Sequence, residues 1–211
     1  MSKKTEIVCV LDRSGSMSGI INDAIGGFNS FIEEQQKIDG EASVTIALFD
    51  HEYKLLKDNV DLKKIKLLTK DDWIPRGTTA LYDAIGKTIM TVKERHKKMK
   101  KKDRPKVIFC IVTDGLENDS KEYDNKTILN LINKQKEKKK WGFIYLAANQ
   151  DAFAVGSSLG IGKGSVLDFA ADTDGVNYYS TAMSHSVASY RKADLKDIDI
   201  DNLIDDNNSN K

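Results

Sequence analysis

Short runs of consecutive apolar and β-branched residues alternate along this chain with longer stretches in which apolar residues recur every three or four positions. The short runs cover residues 6–11, 43–49, 106–112 and 141–147, with a weaker one at 165–169. After the first residue of each, the four stronger runs are apolar but for Thr45 and Gly142, and they are too short for helices, as expected of strands buried on both faces. Four stripes of helical period lie between them. Ile21, Ala24, Ile25, Phe28 and Ile32 make the first; Leu81, Ala84, Ile85, Thr88, Ile89 and Val92 the second. Ile128, Leu131 and Ile132 make a shorter third, and Val176, Tyr179, Met183, Val187 and Tyr190 the last. Each predicts a helix with one core-facing side.

Strands alternating with helices predict βαβ units, hence a Rossmann-like, doubly wound α/β fold with helices on both faces of a mostly parallel central sheet. One strand is expected to break the rule. Residues 49–52 are too few for a crossover helix, so 51–56 should return as an antiparallel edge strand. With no internal repeat, residues 1–192 read as a single domain. From Asp194 the chain is rich in Asp and Asn without clear period. Residues 193–211 are therefore expected to form an acidic, frayed or disordered tail.

Composition narrows the function classes. The formal net charge is +1, so no global field points to nucleic acid or a membrane. The first apolar run, 7–11, is ended by Asp12. A secretory core needs ~7–15 apolar residues and a membrane span ~20, so a cytoplasmic protein without membrane contact is expected. Cys9 and Cys110 each lie inside an apolar run, and no CxxC or His/Cys cluster exists, which argues against zinc. The three histidines are scattered and read as surface or rim residues.

The chemistry gathers at strand ends. Asp12 directly follows the first strand and opens Asp12-Arg13-Ser14-Gly15-Ser16-Met17; Asp114 follows the 106–112 run and opens Asp114-Gly115-Leu116-Glu117-Asn118. In open α/β sheets, ligands bind at carboxyl strand ends where strand order reverses. Two carboxylates and several hydroxyls are hard oxygen donors, which favour Mg²⁺, with Mn²⁺ or Ca²⁺ as substitutes. Gly15 would let the loop turn so that Ser14 and Ser16 aim at one point. Alternatively, Asp12, Ser14 and Ser16 could merely cap the helix that begins near Gly19.

Asp-x-Ser-x-Ser at 12–16, Gly-Thr-Thr-Ala-Leu-Tyr-Asp-Ala-Ile at 77–85 and Thr-Asp-Gly at 113–115 together resemble the metal-ion-dependent adhesion site (MIDAS) of the von Willebrand factor type A (VWA) family. The resemblance covers roughly residues 5–192, and Leu146-Ala147-Ala148-Asn149-Gln150-Asp151 is similar to bacterial and phage members. It implies that Ser14 and Ser16 coordinate a cation directly and that Asp12 and Asp114 hold it largely through water. One position would stay open for an acidic group of a partner. Counting back from Leu81-Tyr82-Asp83-Ala84 places the threonine ligand at Thr79, with Thr78 as the alternative. The partner-binding rim would comprise Arg13, Met17, Arg76, Glu117, Asn118 and Asn149.

A metal-dependent binding module for a protein or ligand that offers a carboxylate is thus the leading expectation, without catalytic residues. A Mg²⁺-dependent phosphohydrolase is an alternative, although no histidine lies in the three loops and no P-loop is present. A third reading is nucleic-acid association through two basic runs. One, from Lys93 to Lys106, has nine Lys or Arg against two acids; the other, from Lys134 to Lys140, has five Lys against one acid. Both precede parallel strands and so belong on the face opposite the metal, where the acidic tail is expected to screen them. The cysteines carry a register test. With both aspartates in one crevice and their strands in register, Cys9 and Cys110 should face opposite sides of the sheet.

Overall fold

A computed structural model describes residues 4–204. Six strands form one sheet: β1 (Thr5–Asp12), β2 (Ala42–Phe49), β3 (Tyr53–Asp61), β4 (Lys106–Thr113), β5 (Gly142–Ala147) and β6 (Val166–Asp168). Their order is β3-β2-β1-β4-β5-β6, and every pair is parallel except β2–β3. Five α-helices cover the sheet: α1 (Ile21–Lys37) and α5 (Thr173–Lys192) on one face, α2 (Leu81–Lys97), α3 (Asn125–Lys139) and α4 (Ala152–Ser158) on the other. The sheet is thus doubly wound, with its order reversing at β1, between β2 and β4. Among the described residues no helix is long and apolar enough to cross a membrane.

Two cores explain why the strand runs are apolar without alternation. Ile7, Cys9 and Leu11 pack under α1 and α5, whereas Val8 and Val10 pack under α2 and α3. The expected helical stripes supply the other half of each core: Phe28 and Ile32, then Ile85 and Ile89, Ile128 and Ile132, Tyr179 and Met183 are all buried. Phe28 also meets Trp73 edge-on at 6.2 Å between ring centroids, which seats the long 62–80 connection against α1. Asn29 seals it by exchanging two hydrogen bonds with the Leu68 backbone, at 2.9 and 2.8 Å. Removing the Phe28 ring should cost about 3–5 kcal/mol.

Three expectations are corrected. The antiparallel strand begins at Tyr53 and runs nine residues, not 51–56. Asp50 and Glu52 close the turn instead, through Glu52 N–H to Asp50 Oδ1 at 2.6 Å and Asp50 N–H to the Glu52 carbonyl at 3.1 Å. Next, Cys9 and Cys110 are direct register partners and belong to the same core, under α1 and α5. The expectation failed because Asp114 lies one residue beyond β4, where strand alternation no longer applies. The residue beside Asp12 in register is Thr113. Both thiols are free and buried, and a hydrogen bond to Cys110 together with burial pushes the Cys9 thiol up.

The third correction concerns the carboxyl-terminal segment. Residues 194–204 do not fray: Leu203 and Ile204 are buried against the α1–α5 core. Ile204 N–H donates to the Gly164 carbonyl at 2.8 Å and Leu203 N–H to Ser165 Oγ at 3.0 Å. The segment lies so close over Gly162 and Gly164 that a Cβ there would meet Asp201 O at 2.5 Å and Asn202 Oδ1 at 2.0 Å. Two apolar residues at the end of a polar stretch were enough to dock it. Residues 205–211 of the expected tail lie outside the described residues.

Candidate metal centre

The reversal of strand order opens a crevice at the carboxyl ends of β1 and β4. Asp12, the last residue of β1, is fully buried. Its Oδ1 accepts the Ser14 N–H at 2.6 Å and its Oδ2 accepts the Thr113 hydroxyl at 2.6 Å. Its carbonyl accepts the Trp73 indole N–H at 2.8 Å. Ser14 Oγ lies 3.0 Å from Ser16 Oγ, and the Ser16 hydroxyl donates to Asp114 Oδ1 at 2.6 Å. A Cβ on Gly115 would meet Thr79 Oγ1 at 3.4 Å and Ser16 Oγ at 3.5 Å, so Thr79 faces the same point. Asp12, Ser14, Ser16, Thr79 and Asp114 therefore converge.

Thr78 does not join them. It is exposed, and its hydroxyl donates to Asp119 Oδ2 at 2.7 Å. Thr79 is buried and locked from both sides by Asn118: Thr79 N–H donates to Asn118 Oδ1 at 2.9 Å, and Asn118 N–H donates to the Thr79 carbonyl at 3.0 Å. The helix-capping alternative also fails. α1 begins after Ile20 without a side-chain cap, and Ser14 makes no capping hydrogen bond to the short 3₁₀ turn Gly15–Gly19. These polar side chains are directed at the crevice and not at a helix end.

Burial raises the pKa of Asp12 to about 6, against the hydrogen bonds from Thr113 and Ser14 that lower it; nearby Asp114 raises it further. Burial also raises Asp114, partly offset by Ser16. No lysine or arginine pairs with either carboxylate among the described residues. The arginines of the first two loops are engaged elsewhere: Arg13 Nε is 3.0 Å and Arg76 Nε 2.8 Å from Asp50 Oδ2. Two buried carboxylates with three hydroxyls and no protein cation fit a hard divalent ion, since every donor is oxygen.

The expected rim is only partly a rim. Met17 is buried in the core under α1 and α5, and Arg13 is buried beside Asp50. Position 17 starts the apolar face that α1 continues, and Arg13 is drawn inward by a buried carboxylate. Arg76 stays exposed and bridges Asp50 and Glu52. Asn118 is exposed; Glu117 is half-buried and accepts hydrogen bonds from Tyr82, Asp119 and Ser120. Asn149, at φ 56°, donates to the Asp114 carbonyl at 3.3 Å. Sequence reasoning missed Gln150, whose side chain donates to the Gly115 carbonyl at 3.1 Å, and Asp83, whose carboxylate accepts the backbone N–H groups of residues 121–123. Asp83 stood in the quoted Leu-Tyr-Asp-Ala motif and was the available signal. It also missed Asp50, His51 and Glu52, whose potential ligand atoms lie within 4.8 Å of one another. The Arg76 guanidinium already supplies positive charge there. Gly77, at φ 67°, packs on His51, whose Nδ1 a Cβ would meet at 2.1 Å.

No protein-family model matches the sequence, and no curated protein does. Solved structures do. The ArnB paralog VWA2 from Sulfolobus acidocaldarius is similar at TM-score 0.56 and 22% identity over 88% of this chain and 45% of that one. The proximal thread matrix protein 1 of the mussel byssus, with a zinc-occupied MIDAS motif, gives TM-score 0.60 and 10% identity over 87% of this chain and 46% of that one. The manganese-loaded TRAP protein of Plasmodium vivax gives 0.55 and 15% over 83% and 71%. The chain thus spans under half the length of the first two. At these identities the likeness establishes architecture alone, and that architecture agrees with the topology described above: the chain has the von Willebrand factor type A fold.

Proposed function

We propose that this chain is a metal-dependent binding module. Ser14, Ser16 and Thr79 offer hydroxyls to a divalent cation, Mg²⁺ in the first instance, and Asp12 and Asp114 hold it largely through water, as in a MIDAS. When bound, the cation supplies a positive charge with an open position that accepts a carboxylate of a partner protein or ligand. The observation that carries this reading is the convergence of three hydroxyls on two buried carboxylates that no lysine or arginine pairs with among the described residues. Metal sites in two proteins of the same fold, one with zinc and one with manganese, support it.

The chain's own residues prepare the site. Thr113 and the Ser14 N–H fix both oxygens of Asp12, so the carboxylate is held behind the hydroxyls and not among them. A carboxylate kept one layer back neutralises the ion less, which leaves it attractive to an incoming anion. Binding without turnover is also what the surrounding acids favour. Glu117, the carboxylate nearest in sequence for use as a base, already accepts through both oxygens, and Asp119 is engaged by Thr78 and Lys121. Isothermal calorimetry with Mg²⁺ tests the metal. Retention of partners from the native host's extract, with and without EDTA, tests the carboxylate mechanism. Mg²⁺ heat that survives loss of both aspartates would refute the site.

A further inference from the structure

Large apolar side chains left in water are scarce among the described residues, and the two most exposed stand beside the metal centre. Leu116 is 58% and Ile74 55% exposed; Leu67, Phe153 and Tyr178 are less so. Single exposed apolar residues are ordinary on a protein surface. These two are not scattered. Leu116 lies two residues past Asp114. Ile74 directly follows Trp73, whose indole N–H is bonded to the Asp12 carbonyl. Each therefore marks one of the two strand ends that carry the buried carboxylates.

Both sit on backbone that is pinned before and after them. Ahead of Leu116, the Asp114 carbonyl accepts from Asn149 Nδ2 at 3.3 Å and the Gly115 carbonyl from Gln150 Nε2 at 3.1 Å. Behind it, Glu117 accepts the Tyr82 N–H at 3.0 Å, and the Asn118 N–H reaches the Thr79 carbonyl at 3.0 Å. Around Ile74, the Trp73 ring is buried against Phe28, Pro75 has a ring-fixed φ, and the Arg76 N–H donates to the Arg13 carbonyl at 2.8 Å. A contact surface already ordered in the free protein adds little ordering cost on binding. Polar neighbours stand differently. Arg76 is bonded to Asp50 and Glu52, and Thr78 to Asp119. Contact with a partner takes no hydrogen bond from Leu116 or Ile74, whereas Arg76 and Thr78 would have to give theirs up.

We infer that the partner of the metal centre is a protein segment whose acidic residue has large apolar residues beside it, the carboxylate going to the cation and the apolar side chains to Leu116 and Ile74. The inference rests on the metal-dependent reading proposed above and narrows it. A small carboxylate would fill the open metal position and leave both side chains in water. A wholly acidic segment would add charge without covering them. In an extended segment, side chains two positions apart share one face, so the apolar residues are expected two positions before or after the acid.

A random peptide library displayed on phage, selected on the full chain in Mg²⁺ and eluted with EDTA, tests this. Eluted peptides should carry an Asp or Glu with Leu, Ile, Phe or Met two positions away, more often than the unselected library does. The double variant Leu116→Ser, Ile74→Ser changes only solvent-facing side chains and should keep the wild-type Mg²⁺ heat. The selected peptides should bind it about tenfold more weakly, as expected when two partly buried apolar contacts are lost. Leu67→Ser alters an exposed leucine next to Leu68, which is bonded to Asn29 of α1, and should bind them as wild type does. Acids recovered without apolar neighbours, or apolar residues without an acid, overturn the inference. So does an equal loss in Leu67→Ser, or a failure to recover any EDTA-eluted peptide while Mg²⁺ heat is normal. Absence of Mg²⁺ heat in the wild type removes the metal reading itself, and this inference with it.

Discussion

The two ends of the sheet hold opposite charge problems. At the carboxyl ends of the strands, two acids are buried, and both oxygens of Asp12 and one of Asp114 are aimed by a hydroxyl or a backbone N–H. At the amino ends, cations crowd a recess with few partners and much solvent. The first arrangement demands geometry, since a small ion is recognised by where its oxygens stand. The second gathers charge density without such geometry. A point change should therefore be severe at one end and graded at the other.

The largest effect is expected at the geometric end. Changing Asp12→Ala with Asp114→Ala should abolish Mg²⁺ heat in calorimetry. Heat that persists would mean that the cation sits elsewhere.

The carboxyl-terminal segment comes next. Truncation after Lys192 removes Leu203 and Ile204 from the core, each worth about 1.5–3 kcal/mol when buried. Chemical denaturation should report a loss of about 3–6 kcal/mol, the sum of those two burials. A sequence-level expectation of screening would have truncation tighten retention on heparin without loss of stability. That result would restore a masking role for the tail.

Asp12 should also make the metal-free protein pH-sensitive. Its folded pKa, about 6, lies above the ordinary 3.8, so its stabilising contribution is present in acid and lost as pH rises through about 6. In EDTA, wild type should lose up to about 3 kcal/mol relative to Asp12→Asn between pH 4 and pH 7.5, from ~1.4 kcal/mol per pKa unit. Saturating Mg²⁺ should erase the difference. Parallel melting curves for the two proteins across that range would remove burial as the controlling term.

The smallest difference separates neighbouring threonines. Thr79→Ala should weaken Mg²⁺ about tenfold, roughly the ~1.4 kcal/mol of one lost ligand contact. Thr78→Ala should leave affinity nearly unchanged, because its hydroxyl is turned to Asp119. Equal effects would place the threonine differently from the register seen here.

The sequence by itself determined what local patterns carry. Apolar runs and helical stripes marked five of the six strands and the four longer helices; β3 was inferred only from the shortness of the turn before it, and its bounds were misplaced. The seven-residue α4 has too short an apolar face to register as a period. The spacing of Asp12, Ser14, Ser16 and Asp114 was legible because each follows a strand end, and strand ends in such sheets meet. What the tertiary structure alone decided depends on register and on side-chain direction beyond strand ends. Cys9 and Cys110 are register neighbours on one face, against the count from their aspartates, because Asp114 sits one residue past β4 and no periodicity counts across that turn. Met17 and Arg13 turned inward because a core and a buried Asp50 lay beneath them. Leu203 and Ile204 docked an otherwise polar segment, because burying two side chains outweighs composition once a bed of two glycines is in place. Which lysines are free and which cap a helix is likewise invisible in a run of like charges, since each partner comes from a distant part of the chain.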